Sequence, residues 1–264
     1  MKRYAALWIL SAALLLAACK GGDNPKNKGT FELQFVAKVG GQVFEKNQNF
    51  ENILGQTFSL ETFKAYISNI KLVKENGEEL ALADVVLYDF AEGVAHKTDH
   101  GEGVFKGFEV PAGKYKGLKF GLGVPAALNN GNPAVYADAQ PLSVSQGMHW
   151  NWTTGYIFVK MDGVVDPSAA AGDEKGITYH MGTNELYREK SYLLPEHAFQ
   201  IVEDEELQFI IEVDINRFFY NSADSIDMVQ TNFTHSTPVG SDSYLLAEKI
   251  MNNFAERSLY KQPF

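Results

Sequence analysis

The sequence predicts an all-β protein, an antiparallel β-sandwich or barrel-like single domain with long loops and a C-terminal α-helix. Three observations predict this class. Many short segments alternate apolar and polar residues, and turn-forming residues separate them. The sequence has neither the strand–helix alternation of a parallel sheet nor a repeat of fixed period. A helical period is clear only near the C-terminus.

The first half of the chain contains the clearest strand patterns. Residues 30–39 place Phe31, Leu33 and Phe35 on one face of a strand. A second strand is predicted over 62–74, and the Asn76-Gly77 turn after it is a strong hairpin signal. The chain should therefore return as a paired strand. Further strands are predicted over 80–90, 105–110, 115–124 and 155–161.

The second half alternates loops and strands before its helix. Residues 126–142 and 162–176 are predicted loops, and the second contains Asp162, Asp166 and Asp173. The spacing of these carboxylates matches no EF-hand, which leaves a plain polar loop or a calcium site. The remaining strands predicted are 177–182 and a pair, 198–201 with 207–213, around an acidic turn. From Ser241, an apolar stripe that includes Ile250 and Phe254 predicts a capped, packed helix.

The N-terminus has the pattern of an export signal. Two basic residues precede an apolar stretch that is too short for a comfortable membrane span and ends Leu16-Ala17-Ala18-Cys19. This ending resembles a bacterial lipobox, and it contains the chain's single Cys. We therefore expect residues 1–18 to be a lipoprotein signal peptide, 19–29 a flexible tether and 30–264 the folded domain. A plain secretory signal with a chance Cys is the alternative.

The expected location follows from this reading of the N-terminus. Acyl chains on Cys19 would anchor the protein to a membrane of the cell envelope. By resemblance to better-known lipoproteins, Lys20 rather than Asp after the Cys favours the outer membrane, on its periplasmic or its surface side.

Composition and charge exclude several functions. The chain is 45% hydrophobic with a net charge of −10, so it can form a core but lacks the basic surface that nucleic acid requires. One Cys excludes a disulfide framework and a Cys-rich zinc site. The common catalytic motifs are absent from the sequence, so we expect a protein that is not an enzyme.

The densest chemical feature is the segment from Met148 to Tyr156. Trp150 and Trp152 are the only Trp residues after the predicted signal peptide. In an extended segment, period two places both with Met148 on one face and His149 on the other. A pair of core aromatics beside a surface His is one interpretation. A metal or redox site is the other, because Met, His and oxidisable Trp lie together.

Two further His residues are candidates for such a site. His180 lies in the predicted strand 177–182, and His235 precedes the C-terminal helix. Two His side chains from separate strands with a soft neighbour would suit copper. Each could equally be structural.

The ordered series of local sequences along the chain resembles the MbnP-like copper-binding protein family, which has periplasmic members and lipoprotein members of Bacteroidota. The resemblance covers about residues 30–254. It rests on these segments, in this order: Tyr66-Ile67-Ser68-Asn69-Ile70, Pro111-Ala112-Gly113-Lys114-Tyr115, Phe120-Gly121-Leu122-Gly123-Val124, Met148-His149-Trp150-Asn151-Trp152 and Tyr179-His180-Met181-Gly182.

The resemblance implies one copper held by His side chains and by a kynurenine that a MauG-type dihaem peroxidase makes from Trp. His180 matches a His of the family, and Trp150 or Trp152 matches the modified Trp. His149 and His235 are further candidate ligands. Where related surface copper proteins are expected to have a His two residues from the modified Trp, this sequence has a second Trp.

A second function is compatible with the same residues. A cell-envelope binding module for a protein or glycan, with no metal site, would use the aromatic side chains of this segment as core or as a sugar-stacking platform.

Overall fold

The computed structural model describes residues 27–92, 96–98, 101–150, 155–167, 173–194, 198–221 and 223–264. Strands dominate these residues and helices are few, which confirms the predicted all-β class. The strands are β1 (Lys28–Val39), β2 (Gln42–Val43), β3 (Phe50–Glu51), β4 (Thr57–Lys74), β5 (Glu79–Asp89), β6 (His96–Thr98), β7 (Gly101–Pro111), β8 (Gly113–Leu122), β9 (Ile157–Asp166), β10 (Lys175–Gly182), β11 (Arg188–Leu193), β12 (Phe199–Ile201), β13 (Glu206–Asp214), β14 (Tyr220–Asn221), β15 (Asp224–Ser225), β16 (Phe233–Thr234) and β17 (Leu259–Lys261). The helices are α1 (Ala126–Asn129), α2 (Asn216–Phe219) and α3 (Asp242–Arg257), with 3-10 turns at Pro133–Val135, Val144–Gln146 and Asn184–Leu186.

The first sheet is organised around β1. Its strand order is β17-β13-β1-β7-β6, and β2 also pairs with β1. β1 pairs with β7 in antiparallel and with β13 in parallel, so Phe31 has Phe108 on one side and Leu207 on the other. The parallel pair joins the start of the described chain to a strand far along the sequence.

The second sheet is organised around β4. Its strand order is β11-β8-β4-β9-β10-β16, while β3 and β5 also pair with β4 and β12 pairs with β8. The turn between β4 and β5 is the predicted hairpin, with Gly77 at a φ of +93° that favours glycine. β10 and β16 form a second parallel pair, and this pair positions the candidate site described below.

The core lies between the two sheets. Phe31, Leu33 and Phe35 of β1 are fully buried, as the alternation predicts. The Phe35 ring lies 4.8 Å from Tyr88 of β5 and 5.7 Å from Phe120 of β8, measured between ring centroids. Burying side chains of this size contributes about 1.5–3 kcal/mol each, so these contacts across the sheets hold the sandwich together.

The predicted C-terminal helix is confirmed as α3. The Ser241 hydroxyl accepts a hydrogen bond from the backbone N–H of Tyr244 at 3.2 Å, which caps the helix. Ile250 and Phe254 are buried, and Phe254 stacks on Phe218 of α2 with centroids 4.6 Å apart. Within the described ranges, no helix combines the length and apolar character needed to cross a membrane.

Two predicted connections in the second half differ from the structure. The loop predicted over 162–176 is partly strand, because β9 runs on to Asp166 and β10 begins at Lys175. The predicted pairing of 198–201 with 207–213 is wrong, because β12 pairs with β8 and β13 pairs with β1. Alternation identifies a strand and its buried face but does not identify its partner.

Candidate metal centre

Trp150 is held in a short antiparallel pairing just before β9. The N–H of Ile157 donates to the carbonyl of Met148 at 2.7 Å, and the N–H of Trp150 donates to the carbonyl of Gly155 at 3.1 Å. Met148 is fully buried and the Trp150 side chain is only 4% exposed. This pairing therefore holds the indole in a buried position.

A buried amide fixes the other side of the same pairing. The Asn129 side-chain oxygen accepts a hydrogen bond from the N–H of Tyr156 at 2.7 Å, and its amide donates to Asn184 at 2.8 Å. Asn129 is 3% exposed, and its bond to Tyr156 is buried, whereas the bond to the exposed Asn184 is only partly buried. The segment that carries Trp150 is thereby tied to the turn that follows β10.

The parallel register of β10 and β16 explains why two distant His residues are neighbours. Thr178 pairs with Phe233 and Tyr179 with Thr234. One step further along both strands, His180 and His235 follow side by side, at the separation of adjacent strands. Their ring centroids are 5.7 Å apart.

Trp150 completes a three-ring cluster with these His residues. The centroid of its indole lies 5.9 Å from the His180 ring and 5.5 Å from the His235 ring. The structure thus brings together Trp150, His180 and His235, which come from three separate parts of the chain. We refer to these three residues as the ring cluster.

A buried hydroxyl fixes the spacing between the two His residues. The Ser236 hydroxyl donates to the carbonyl of His180 and accepts from the N–H of Gly182, each at 3.0 Å. Ser236 is fully buried and has a φ of +61°. The N–H of His235 also donates to the Ser243 hydroxyl of α3 at 2.9 Å. The backbone on both sides of the His235 ring is therefore anchored.

A carboxylate on β9 orients His180. Thr178 lies opposite Asp162 and His180 lies opposite Lys160, so Asp162 is the diagonal neighbour of His180 on one face. The Asp162 Oδ1 lies 2.8 Å from the Nε2 of His180, and its Oδ2 lies 3.7 Å from the Lys160 ammonium. Burial raises the pKa of Asp162, but the hydrogen bond and charge of His180, with Lys160 and Thr178, more than offset it and leave this pKa below its ordinary value.

The electrostatics of the ring cluster favour neutral imidazole at His235. Burial lowers the pKa of His235 below its ordinary value, and the nearby His180 lowers it further. A neutral imidazole keeps the lone pair that a metal ion requires.

Among the other predicted metal ligands, His149 is described and is not one of the three rings of the cluster. The His149 ring packs edge-on against Tyr156 with centroids 5.0 Å apart, on the face opposite to Trp150. Trp152 lies in 151–154, outside the described residues, as does Cys19. Trp150 and Tyr156 are both buried, so neither can serve as the sugar-stacking platform considered for this segment.

Few side chains near the ring cluster can coordinate a metal ion. Across the part of the chain that the structure describes, no three His, Cys, Asp or Glu side chains are grouped so as to hold an ion. His180 and His235 can share one, because a metal–imidazole bond of about 2 Å allows ring centroids up to about 6–7 Å apart. An intact indole N–H only donates, so Trp150 could act as a ligand only after chemical change.

Two residues that build the site were missed from the sequence. The sequence predicts Asp162 in a polar loop, whereas it lies in β9 beside His180. The alternation of Lys160 with Asp162, and of Thr178 with His180, is the sequence signal that could have indicated two paired strands and placed Asp162 near His180. Ser236 has no signal in the sequence beyond its place next to His235.

The fold and this cluster define a β-sandwich protein with clustered His and Trp rings, and the comparisons with known proteins agree with the fold. The model of the MbnP family matches residues 28–237, so the chain belongs to the MbnP family. The solved structure of MbnP from Methylosinus trichosporium is similar, with a TM-score of 0.51 and 18% identity over 75% of this chain and 79% of that one. At this identity the likeness shows the fold. A comparison with curated proteins finds no significant match.

Proposed function

We propose that this protein is a non-catalytic copper-binding protein and that His180 and His235 are its imidazole ligands. The observation that carries the proposal is the ring cluster, in which two imidazoles and an indole lie with centroids 5.5–5.9 Å apart. Imidazole nitrogens suit copper in either common oxidation state, and the rigid backbone around both His residues lowers the entropy lost on binding. Membership of the MbnP family supports the same reading.

We further propose that the third donor is a nitrogen made from Trp150. Oxidative opening of the indole C2–C3 bond adds two oxygen atoms and gives a formylated aryl amine. Water then removes the formyl group as formate, which leaves kynurenine with a free aryl amine. With hydrogen peroxide as oxidant, two equivalents supply both oxygen atoms and are reduced to water. A MauG-type dihaem peroxidase is the class of partner that would perform this oxidation.

We also propose that the protein works in the cell envelope. Acylation of Cys19 after removal of residues 1–18 would anchor it to the outer membrane, on the periplasmic or the surface side. The tether 19–29 would keep the folded domain near that membrane.

The two His ligands can be tested with matched variants. His180→Ala and His235→Ala should each abolish stoichiometric copper binding, whereas His149→Ala should retain it, because the His149 ring packs on Tyr156 instead. Copper content after dialysis measures binding, and far-UV circular dichroism checks the fold of each variant. Copper retained by folded His180→Ala and His235→Ala would contradict the proposed ligands.

A further inference from the structure

The hydrogen bond between Asp162 and His180 indicates which nitrogen of His180 can bind a metal ion. The distance of 2.8 Å joins Asp162 Oδ1 to Nε2, the ring nitrogen farther from the backbone. Among the residues that the structure describes, no hydrogen bond occupies the other nitrogen, Nδ1. The two ring nitrogens therefore have different environments.

The direction of this hydrogen bond follows from the chemistry of the two groups. Aspartate is ionised at neutral pH and can only accept hydrogen bonds. Nε2 of His180 must then carry the hydrogen and donate it. A neutral imidazole has one protonated nitrogen, so this bond leaves the lone pair on Nδ1.

The fold also fixes the position of the carboxylate. Asp162 lies in β9 directly opposite Thr178 of β10, and Thr178 helps to hold the pKa of this carboxylate below its ordinary value. The side chains of Asp162 and His180 are 28% and 15% exposed, so the bond is partly shielded from water. The carboxylate therefore belongs to a strand of the sheet and not to a loop, and the strand pairing fixes its position.

We infer that Asp162 is a positioning residue that holds His180 as its Nε2–H tautomer, so that Nδ1 is the nitrogen offered to a metal ion. The part that concerns the metal rests on the proposed function. In metal sites, a carboxylate that accepts from the second nitrogen of a His ligand fixes the ring orientation and raises the basicity of the ligand. Because Nδ1 lies nearer the backbone than Nε2, the ion would lie close to the end of β10.

Nuclear magnetic resonance of the metal-free protein tests the tautomer directly. Long-range proton–nitrogen spectra of the His-labelled protein at alkaline pH distinguish the two neutral tautomers, and the His180→Ala spectrum assigns the signals. We expect the Nε2–H tautomer in the wild type and a mixture in Asp162→Ala. Asp166→Asn is the matched control, since it removes a charge from the same strand away from His180, and should match the wild type.

The opposite results would overturn the inference. An Nδ1–H tautomer in the wild type, or an unchanged tautomer in Asp162→Ala, would show that Asp162 does not set the state of His180. If Asp162→Ala does not fold, Asp162→Asn keeps the size of the side chain. Its amide can donate as well as accept, so it should also give a mixture.

Copper affinity separates this inference from the proposed function. Competition with a chromophoric Cu(I) chelator should show affinity lowered about 10- to 100-fold in Asp162→Ala and unchanged in Asp166→Asn. Equal affinity in the wild type and Asp162→Ala would contradict the positioning role. A wild type that shows the expected tautomer but binds no copper would contradict the proposed function and the metal-facing role of Nδ1, while supporting Asp162 as the residue that fixes the tautomer.

Discussion

The indole of Trp150 packs against the imidazole of His180 with ring centroids 5.9 Å apart. This contact joins the segment before β9 to the end of β10. His235 contacts both rings. The chemistry of the site therefore depends on how firmly three backbone segments are held in place.

Ser236→Ala should loosen the contact between β10 and the His235 segment. The fully buried hydroxyl bonds to both His180 and Gly182, and its removal leaves two backbone groups without that partner. We expect the free energy of unfolding to fall by about 1–3 kcal/mol in urea denaturation.

An exposed serine serves as the control for this change. Ser191→Ala, on β11, should shift the free energy of unfolding by no more than about 0.5 kcal/mol. Equal stabilities of Ser236→Ala and Ser191→Ala would show that the bridge does not hold the segment.

The stability of the metal-free protein should depend on pH through His235. Its pKa is lowered in the folded protein, so the unfolded chain takes up this proton at a higher pH. Stability should therefore decrease as the pH falls through about 6.5 toward the folded pKa. Burial also lowers the pKa of His149, so His235→Gln should reduce this pH dependence without abolishing it.

Urea unfolding at a series of pH values measures the effect. The wild type should lose more stability than His235→Gln between neutral and mildly acidic pH. The same slope in both proteins would mean that His235 is not held neutral by its surroundings.

Cys19→Ser should release the protein from the membrane. The thiol is the group that a lipobox presents for acylation, and the chain contains no other Cys. Fractionation of cells that express each form measures the effect, with the wild type in the membrane fraction and the variant in the soluble fraction. A variant that stays with the membrane as the wild type does would contradict lipid anchoring at Cys19.

Much of the fold follows from local patterns in the sequence. The alternation around Phe35 and the Asn76-Gly77 turn predict strands and a hairpin, and both are confirmed. The capped stripe from Ser241 predicts α3, which is also confirmed. These features are local because turn geometry, strand period and helix capping each depend on a few consecutive residues.

The site was harder to predict because its residues meet through long-range pairing. β16 has only two residues, so no alternation marks it, yet its parallel pairing with β10 sets His235 beside His180. Asp162 falls in a predicted loop because Gly163 and Pro167 interrupt the strand pattern, although β9 continues to Asp166. Strand partners depend on the whole fold, and local periodicity does not contain that information.

The most direct measurement for the proposed copper site is the mass and metal content of the protein purified from its own host. Peptide mass spectrometry should show that Trp150 has lost one carbon and gained one oxygen, and elemental analysis should find one copper per chain. Trp150→Phe from the same host should lack both the modification and tight copper binding while remaining folded. Wild-type protein with an unmodified Trp150 and no copper would contradict the proposal that the ring cluster is a copper centre.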